Sequence, residues 1–265
     1  VENIEAFWGK KKYALTLGIK AAKNQYLLFT DADCKPVSKH WILEMSTQFS
    51  QEKTIILGYG KYKKTPKFIN LFVRFETLLT AIQYFSYAKL GSPYMAVGRN
   101  LAYHKNEFFK AKGFINHMHI KSGDDDLFIQ DAANKQNTTI SLSEESFTES
   151  LAPNSFSEWF RQKRRHISTA NYYKKQHQFF LGLFFFSKFL FFGLAISSVF
   201  LLPWQIILPV ILSYYLVQYI IVGIAAKKLK EPHILYYLPF LEIILLLFQF
   251  SIFIANLISK PRHWK

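Results

Sequence analysis

The sequence predicts an α/β domain built on a mixed sheet, followed by a C-terminal region of transmembrane helices. Three observations predict it. Short β-forming runs alternate with helix-period segments over the first two thirds of the chain. Acidic and basic clusters stand at the ends of those runs, where a buried strand or helix surfaces. From Phe179 the composition turns into nearly continuous Phe, Leu and Ile, in stretches of about 20 residues that suffice to cross a bilayer. The division falls between residues 1–176 and 177–265.

Composition bounds the partners. Half of the 265 residues are hydrophobic, 27 are Phe, and the formal net charge is +15. That balance suits an anionic membrane face, nucleic acid or a phosphorylated substrate. One cysteine, Cys34, excludes an intrachain disulfide framework and a multi-cysteine metal site. The chain opens at Val1 with what already reads as the middle of a domain, so a longer protein is expected.

Glu5 to Lys23 forms a basic helix with Ala14, Leu15, Leu17, Ile19 and Ala22 on its apolar side. Gly9-Lys10-Lys11-Lys12 at its start is either an anion site, favoured by helix amides, or a solvated charged turn. Tyr26–Thr30 is a strand running into Asp31-Ala32-Asp33. Alternate residues of a strand share a face, so Asp31 and Asp33 can converge on one hard cation. A helix through Trp41–Phe49 and a strand over Thr54–Tyr62 follow.

Phe68–Leu90 has helix-period apolar residues, but Arg74, Glu76 and Lys89 make it too polar to span; it covers the sheet or lies on a membrane. Tyr94–Tyr103 reads as a strand broken at Gly98, where the missing side chain lets backbone approach a ligand and Arg99 and Asn100 supply polar groups. A helix over Asn106–Lys112 stops at Gly113. Gly123-Asp124-Asp125-Asp126 opens another, reaching Lys135. Carboxylates suit a helix N-terminus, yet three in a row repel one another more than capping requires, which tunes a carboxylate for proton transfer. After a short strand at Thr138–Leu142, Phe156–Lys175 is a strongly basic helix containing Gln162-Lys163-Arg164-Arg165-His166.

Three apolar segments close the chain: Phe179–Leu202, Trp204–Ala226 and Ile234–Ile258. The basic loop Lys227-Lys228-Leu229-Lys230 places itself and the preceding domain on the cytoplasmic side. Three clean crossings would then put the basic tail Lys260–Lys265 outside, against the same rule. A third segment bent or re-entrant at Pro239 and Glu242 is the alternative. Lys188 either snorkels to the interface or pairs with Glu242.

A carboxylate pair for a divalent cation, a later acidic cluster and an Arg/Lys helix suit group transfer from a nucleoside diphosphate. The order of the pieces resembles the membrane glycosyltransferases of family 2, which have the GT-A fold. The matching stretches are Gly9-Lys10-Lys11-Lys12-Tyr13-Ala14-Leu15, Thr30-Asp31-Ala32-Asp33, Val97-Gly98-Arg99-Asn100-Leu101-Ala102-Tyr103, Gly123-Asp124-Asp125-Asp126-Leu127 and Gln162-Lys163-Arg164-Arg165-His166. The resemblance implies a GT-A-like (Rossmann-related) mixed sheet, with Asp31 and Asp33 as ligands of Mg²⁺ or Mn²⁺. It implies that Lys11, Gln162, Arg164 and Arg165 join them on the donor diphosphate. Asp124 falls on the catalytic base, Asp126 on the second acid and Asp125 on a spacer; Gly98, Asn100 and His166 lie on the acceptor side, with His166 replacing the family's Trp.

The resemblance further implies a nucleotide-sugar donor, taken to be a UDP-sugar, a lipid or glycan acceptor, and inversion at the sugar. It implies a multi-pass protein among membrane lipids, at the bacterial inner membrane, in cell-envelope glycan synthesis. The family's first strand and nucleobase-reading Asp would lie before Val1. No nucleic-acid partner is expected, since no RNA- or DNA-binding motif is present. The alternative is a non-catalytic membrane protein whose basic domain binds anionic lipid or nucleic acid. A transporter has too little polar pathway in its apolar segments.

Overall fold

Two small mixed sheets organise the N-terminal part of the computed structural model, which describes residues 10–259. The strands are β1 Tyr26–Phe29, β2 Lys35–Pro36, β3 Ile55–Leu57, β4 Gly60–Tyr62, β5 Leu101–His104, β6 Thr138–Ile140 and β7 Thr148–Ser150. One sheet has the order β1-β5-β3-β6. Its β1/β5 and β3/β5 pairs are antiparallel and its β3/β6 pair is parallel. The other has the order β2-β7-β4, antiparallel at β2/β7 and parallel at β4/β7.

The stretch expected as one strand over Thr54–Tyr62 is therefore two strands in different sheets. The chain changes sheet at Gly58-Tyr59, and Asn100 holds the corner. Its Nδ2 donates to Tyr59 O at 3.0 Å and Ser146 O at 2.7 Å, while its Oδ1 accepts from Trp41 Nε1 at 3.1 Å. A Cβ on Gly58 would stand 2.5 Å from Asn100 Cγ, so only glycine passes this corner. The strand expected from Tyr94 likewise begins only at Leu101, and the preceding residues form a loop.

The helices of this part are α1 Lys10–Ala21, α2 Trp41–Ser46, α3 Phe68–Lys89, α4 Lys105–Lys110, α5 Asp126–Ala132 and α6 Phe156–Ser168. The expected start of α1, Glu5–Gly9, lies outside the described residues. Of the two readings of α3, the structure takes the sheet-covering one. Phe72, Phe75 and Leu78 are completely buried, each worth about 1.5–3 kcal/mol of burial. The Tyr84 hydroxyl donates to Gly58 O at 2.9 Å. The two buried charges of α3 are neutralised inside the protein: Glu76 pairs with Lys163 at 2.6 Å, and Arg74 pairs with Glu231. The basic helix is shorter than expected: α6 stops at Ser168, and a 3-10 turn, Thr169–Tyr172, follows.

Three further helices are long and apolar enough to cross a membrane: α7 Lys175–Ser198, α8 Trp204–Lys228 and α9 Leu238–Ile258, the last preceded by a 3-10 turn, Pro232–Tyr237. Pro239 does not bend α9. It lies in the first turn, where a missing N–H breaks no helical bond. Lys188 pairs with Glu242 at 2.5 Å instead of snorkelling, and the Tyr214 hydroxyl donates to the same carboxylate at 2.7 Å. One acidic side chain thus ties α7, α8 and α9 together.

These three apolar helices are also fastened to the domain. Arg74 Nε and Nη2 donate to the Glu231 carboxylate between α8 and α9, and Lys230 pairs with Glu144 at 2.9 Å. Along α9, Phe240 meets Phe68 at 5.9 Å and Phe248 meets Phe72, Phe156 and Trp159 at 5.5, 5.3 and 5.4 Å between ring centroids. At its end, Arg164 of α6 donates to Asn256 Oδ1 at 2.8 Å and Ala255 O at 2.9 Å. The basic tail Lys260–Lys265 lies outside the described residues.

Candidate active site

A cleft of about 420 Å³ opens where α1, the end of β1, the loop before β5, the start of α5 and one face of α6 meet. Of the residues expected at a site, Lys11, Asp31, Asp33, Gly98, Asp124, Asp126, Gln162 and His166 line it. Asn100, Arg164 and Arg165 do not. Asn100 is fully buried at the corner between the sheets. Arg164 points at the C-terminal turn of α9. Helix geometry explains the division of α6, because Trp159, Gln162, Lys163 and His166 share one face and line the cleft, while Arg164 stands round the helix.

Lys11 is the centre of charge. Its Nζ lies 2.9 Å from Asp31 Oδ1 and 2.9 Å from Asp124 Oδ2. Burial works against its charge, but Asp124, Asp31 and Asp125 outweigh burial and hold its pKa above the ordinary lysine value. Lys12, the next residue, points the other way: it is fully buried and donates to His117 O at 2.7 Å and Ile120 O at 2.9 Å. The expected Lys-rich anion site is therefore split, with Lys11 in the cleft and Lys12 anchoring the loop that leads to Asp124. The side chain of Lys10 lies outside what the structure describes.

The three consecutive aspartates differ in what holds them. Asp125 accepts from Gly98 N at 2.7 Å and from Asp126 N at 2.8 Å. Asp126 accepts from Thr169 Oγ1 at 2.5 Å, Tyr173 OH at 2.7 Å and Leu127 N at 2.8 Å. Asp124 faces Lys11. Burial first, then the Asp125 charge, raises the Asp124 pKa, against the pull of Lys11. Burial also raises Asp125 and Asp126, which share one small volume of charge. Gly98 lets the groups converge, since a Cβ there would stand 3.3 Å from Asp125 Oδ2, 3.5 Å from Lys11 Nζ and 3.7 Å from Asp124 Oδ2.

Beside this cluster, one ligand atom each from Asp31, Asp33 and Cys34 lie within 4.8 Å of one another. The two carboxylates are hard oxygen donors and partly open to the cleft, which fits a Mg²⁺-type ion that takes its remaining ligands from phosphate and water. The Cys34 sulfur is soft and adds nothing for such an ion. His166 lines the cleft with part of its surface open, yet is crowded by neighbouring protein. That crowding, and the cations Lys163, Arg99 and Arg165, lower its pKa and keep it neutral at physiological pH.

Other residues of the cleft were given no site role by the resemblance. Arg99 lines it, stacks over Tyr62 at 4.4 Å and donates to Ser150 Oγ at 3.2 Å; the Gly98-Arg99-Asn100 stretch pointed to the right place, and the backbone sends Arg99 in and Asn100 out. Gln83 of α3 and Gln249 of α9 also line the cleft, as do Leu181 of α7 and Leu245 and Ile252 of α9. The last of these lie in apolar helices, where sequence showed only candidate spans.

No curated protein matches the chain. The model of glycosyl transferase family 21 matches residues 9–265. The motifs resembled family 2 and the match is to family 21; glycosyl transfer is common to both. Membership sets aside the non-catalytic alternative of a basic lipid- or nucleic-acid-binding domain. With the match running from residue 9 to the last, the chain belongs to glycosyl transferase family 21 and is a glycosyltransferase.

Proposed function

We propose that the enzyme moves a sugar from a nucleotide-sugar donor, a UDP-sugar, to a membrane lipid, with inversion and with the help of Mg²⁺ or Mn²⁺. The observation that carries this reading is the continuity of the cleft. The same cleft is lined by Lys11, Asp31, Asp33 and Asp124 and by Leu181, Leu245 and Ile252 of the apolar helices. A charged diphosphate suits the first set and an acyl chain the second; a glycan acceptor would leave the apolar side chains without a role.

Asp31 and Asp33 would hold the ion, which when bound neutralises diphosphate charge. Lys11 adds a cation at the same place, and Arg99 another on the same cleft wall. Asp124 is the residue assigned to proton transfer, because Asp125 and Asp126 are engaged in holding Gly98, Thr169 and Tyr173. The acceptor hydroxyl gives its proton to Asp124 while its oxygen bonds to the anomeric carbon. The bond from that carbon to the diphosphate oxygen breaks, and the electron pair leaves with the diphosphate. Gln162 and His166, on the same face of α6, remain uncharged hydrogen-bonding partners along the cleft.

Membranes bearing the protein, offered a panel of nucleotide sugars and native lipid extract, should transfer label to lipid in a metal-dependent way. Asp31→Asn and Asp124→Asn should each lower transfer by about a hundredfold or more. Unchanged turnover in both variants defeats the assignment.

A further inference from the structure

Helix α9 has the length and composition of a membrane span, yet its contacts do not allow it to cross. We infer that α9 lies in the plane of the membrane surface, one face on the domain and the other on lipid, and that the chain leaves it on the same side as the domain. This goes beyond the glycosyltransfer reading and does not rest on it.

The first line of argument is where its ends are. The connection into α9 is fixed to α3 by the Arg74–Glu231 pair, and its last turn is fixed to α6 by Arg164. Between these points Phe248 packs against Phe72, Phe156 and Trp159. Helix α6 carries Arg161, Lys163, Arg164 and Arg165, too many charges for a bilayer interior. A helix bound along its whole length to such partners cannot leave their side of the membrane.

A second line is how α9 meets α7. Glu242 pairs with Lys188, and Phe250 stacks on Phe189 at 5.1 Å. Eight residues of α9, about 12 Å of helix, thus meet a shorter stretch of α7, from Phe184, over whose ring the Lys188 ammonium lies at 5.1 Å, to Phe189. Two helices running side by side would match eight residues with about eight; these cross at an angle. If α7 crosses the bilayer, α9 is inclined away from that direction.

The third is the uncovered face. Ile243, Leu247, Phe250, Ile254 and Leu257 are exposed and recur at helical spacing, so they form one apolar stripe. A third of the most apolar stretch of this segment is buried in the protein, against none of α7. Lipid is the occupant that fits the stripe, because it continues onto the exposed apolar surfaces of α7 and α8 and is followed by a basic tail.

Sidedness tests this directly. In a Cys34→Ser background, single cysteines at Asn154 in the domain, Leu202 in the α7–α8 hairpin and His263 in the tail are probed with a membrane-impermeant maleimide, in sealed and permeabilised membranes. The inference expects His263→Cys to behave as Asn154→Cys; behaviour matching Leu202→Cys overturns it. Fluorophores on Ile243→Cys, Phe250→Cys and Leu257→Cys, quenched by lipids brominated at different depths, give an independent reading. Equal depths are expected, and a spread near the helix length between the outer two, about 21 Å, overturns the in-plane placement.

Discussion

Lys11 and Lys12 are neighbours on one helix with opposite surroundings, and the consequences can be measured at the second. Burial lowers the Lys12 pKa to about 8. Its Nζ lies 2.8 Å from His117 Nδ1, and burial, then the Lys12 charge, lowers His117 to about 4 from 6.5. Between these two values the unfolded chain binds a proton that the folded one does not, so stability rises with pH across that window. The contribution is complete above 6.5 and is lost as pH falls to about 4; its size is on the order of 3 kcal/mol. His117→Gln should flatten this acid limb when melting temperature in detergent is followed against pH. Equal slopes in variant and wild type would refute it. At Gly98 the expected effect is on turnover: Gly98→Ala pushes a methyl towards Asp125, Lys11 and Asp124 and should reduce sugar transfer more than tenfold with little change in melting temperature.

At the scale of elements, Asn100 is the hinge of the architecture. Replacing it by leucine leaves Tyr59 O, Ser146 O and the Trp41 indole N–H without their partner, each costing about 1–3 kcal/mol when buried. Asn100→Leu should therefore lose at least about 3 kcal/mol in denaturation, and a loss under about 1 kcal/mol would contradict the role. The same corner shows what could be read from sequence. Apolar runs with regular period, such as β1, α3 and α7, were legible because local pattern decides them. The break between β3 and β4 was not, since Gly58 looks like any strand glycine until Asn100 arrives from forty residues away. The two short strands β2 and β7, Lys35–Pro36 and Thr148–Ser150, have no pattern of their own and exist through pairing. In the cleft, the motifs located Lys11, Asp31, Asp33 and the aspartate run. Which of Arg99 and Asn100, or of Lys163 and Arg164, faces inward depends on how loop and helix are rotated against their neighbours, and composition does not carry that.

The molecule as a whole is joined across its two parts by the Arg74–Glu231 pair, whose side chains are 5% and 4% exposed. Removing one partner strands the other in a dry place, so Glu231→Gln should destabilise by about 3–5 kcal/mol, while the double change Arg74→Met/Glu231→Met should cost less than the single one. A double variant as unstable as the sum of its single changes would remove this coupling. The Glu242 carboxylate has a related consequence for biosynthesis. Among the described residues it is the acid paired with Lys188, and it also takes the Tyr214 hydroxyl. A nascent chain that has made only α7 and α8 carries a lysine in an apolar hairpin with no counter-charge. The hairpin becomes electrically balanced when α9 emerges and docks, so a helix made later completes α7. A chain stopped before Leu238 should accordingly be retained as an immature hairpin and turned over.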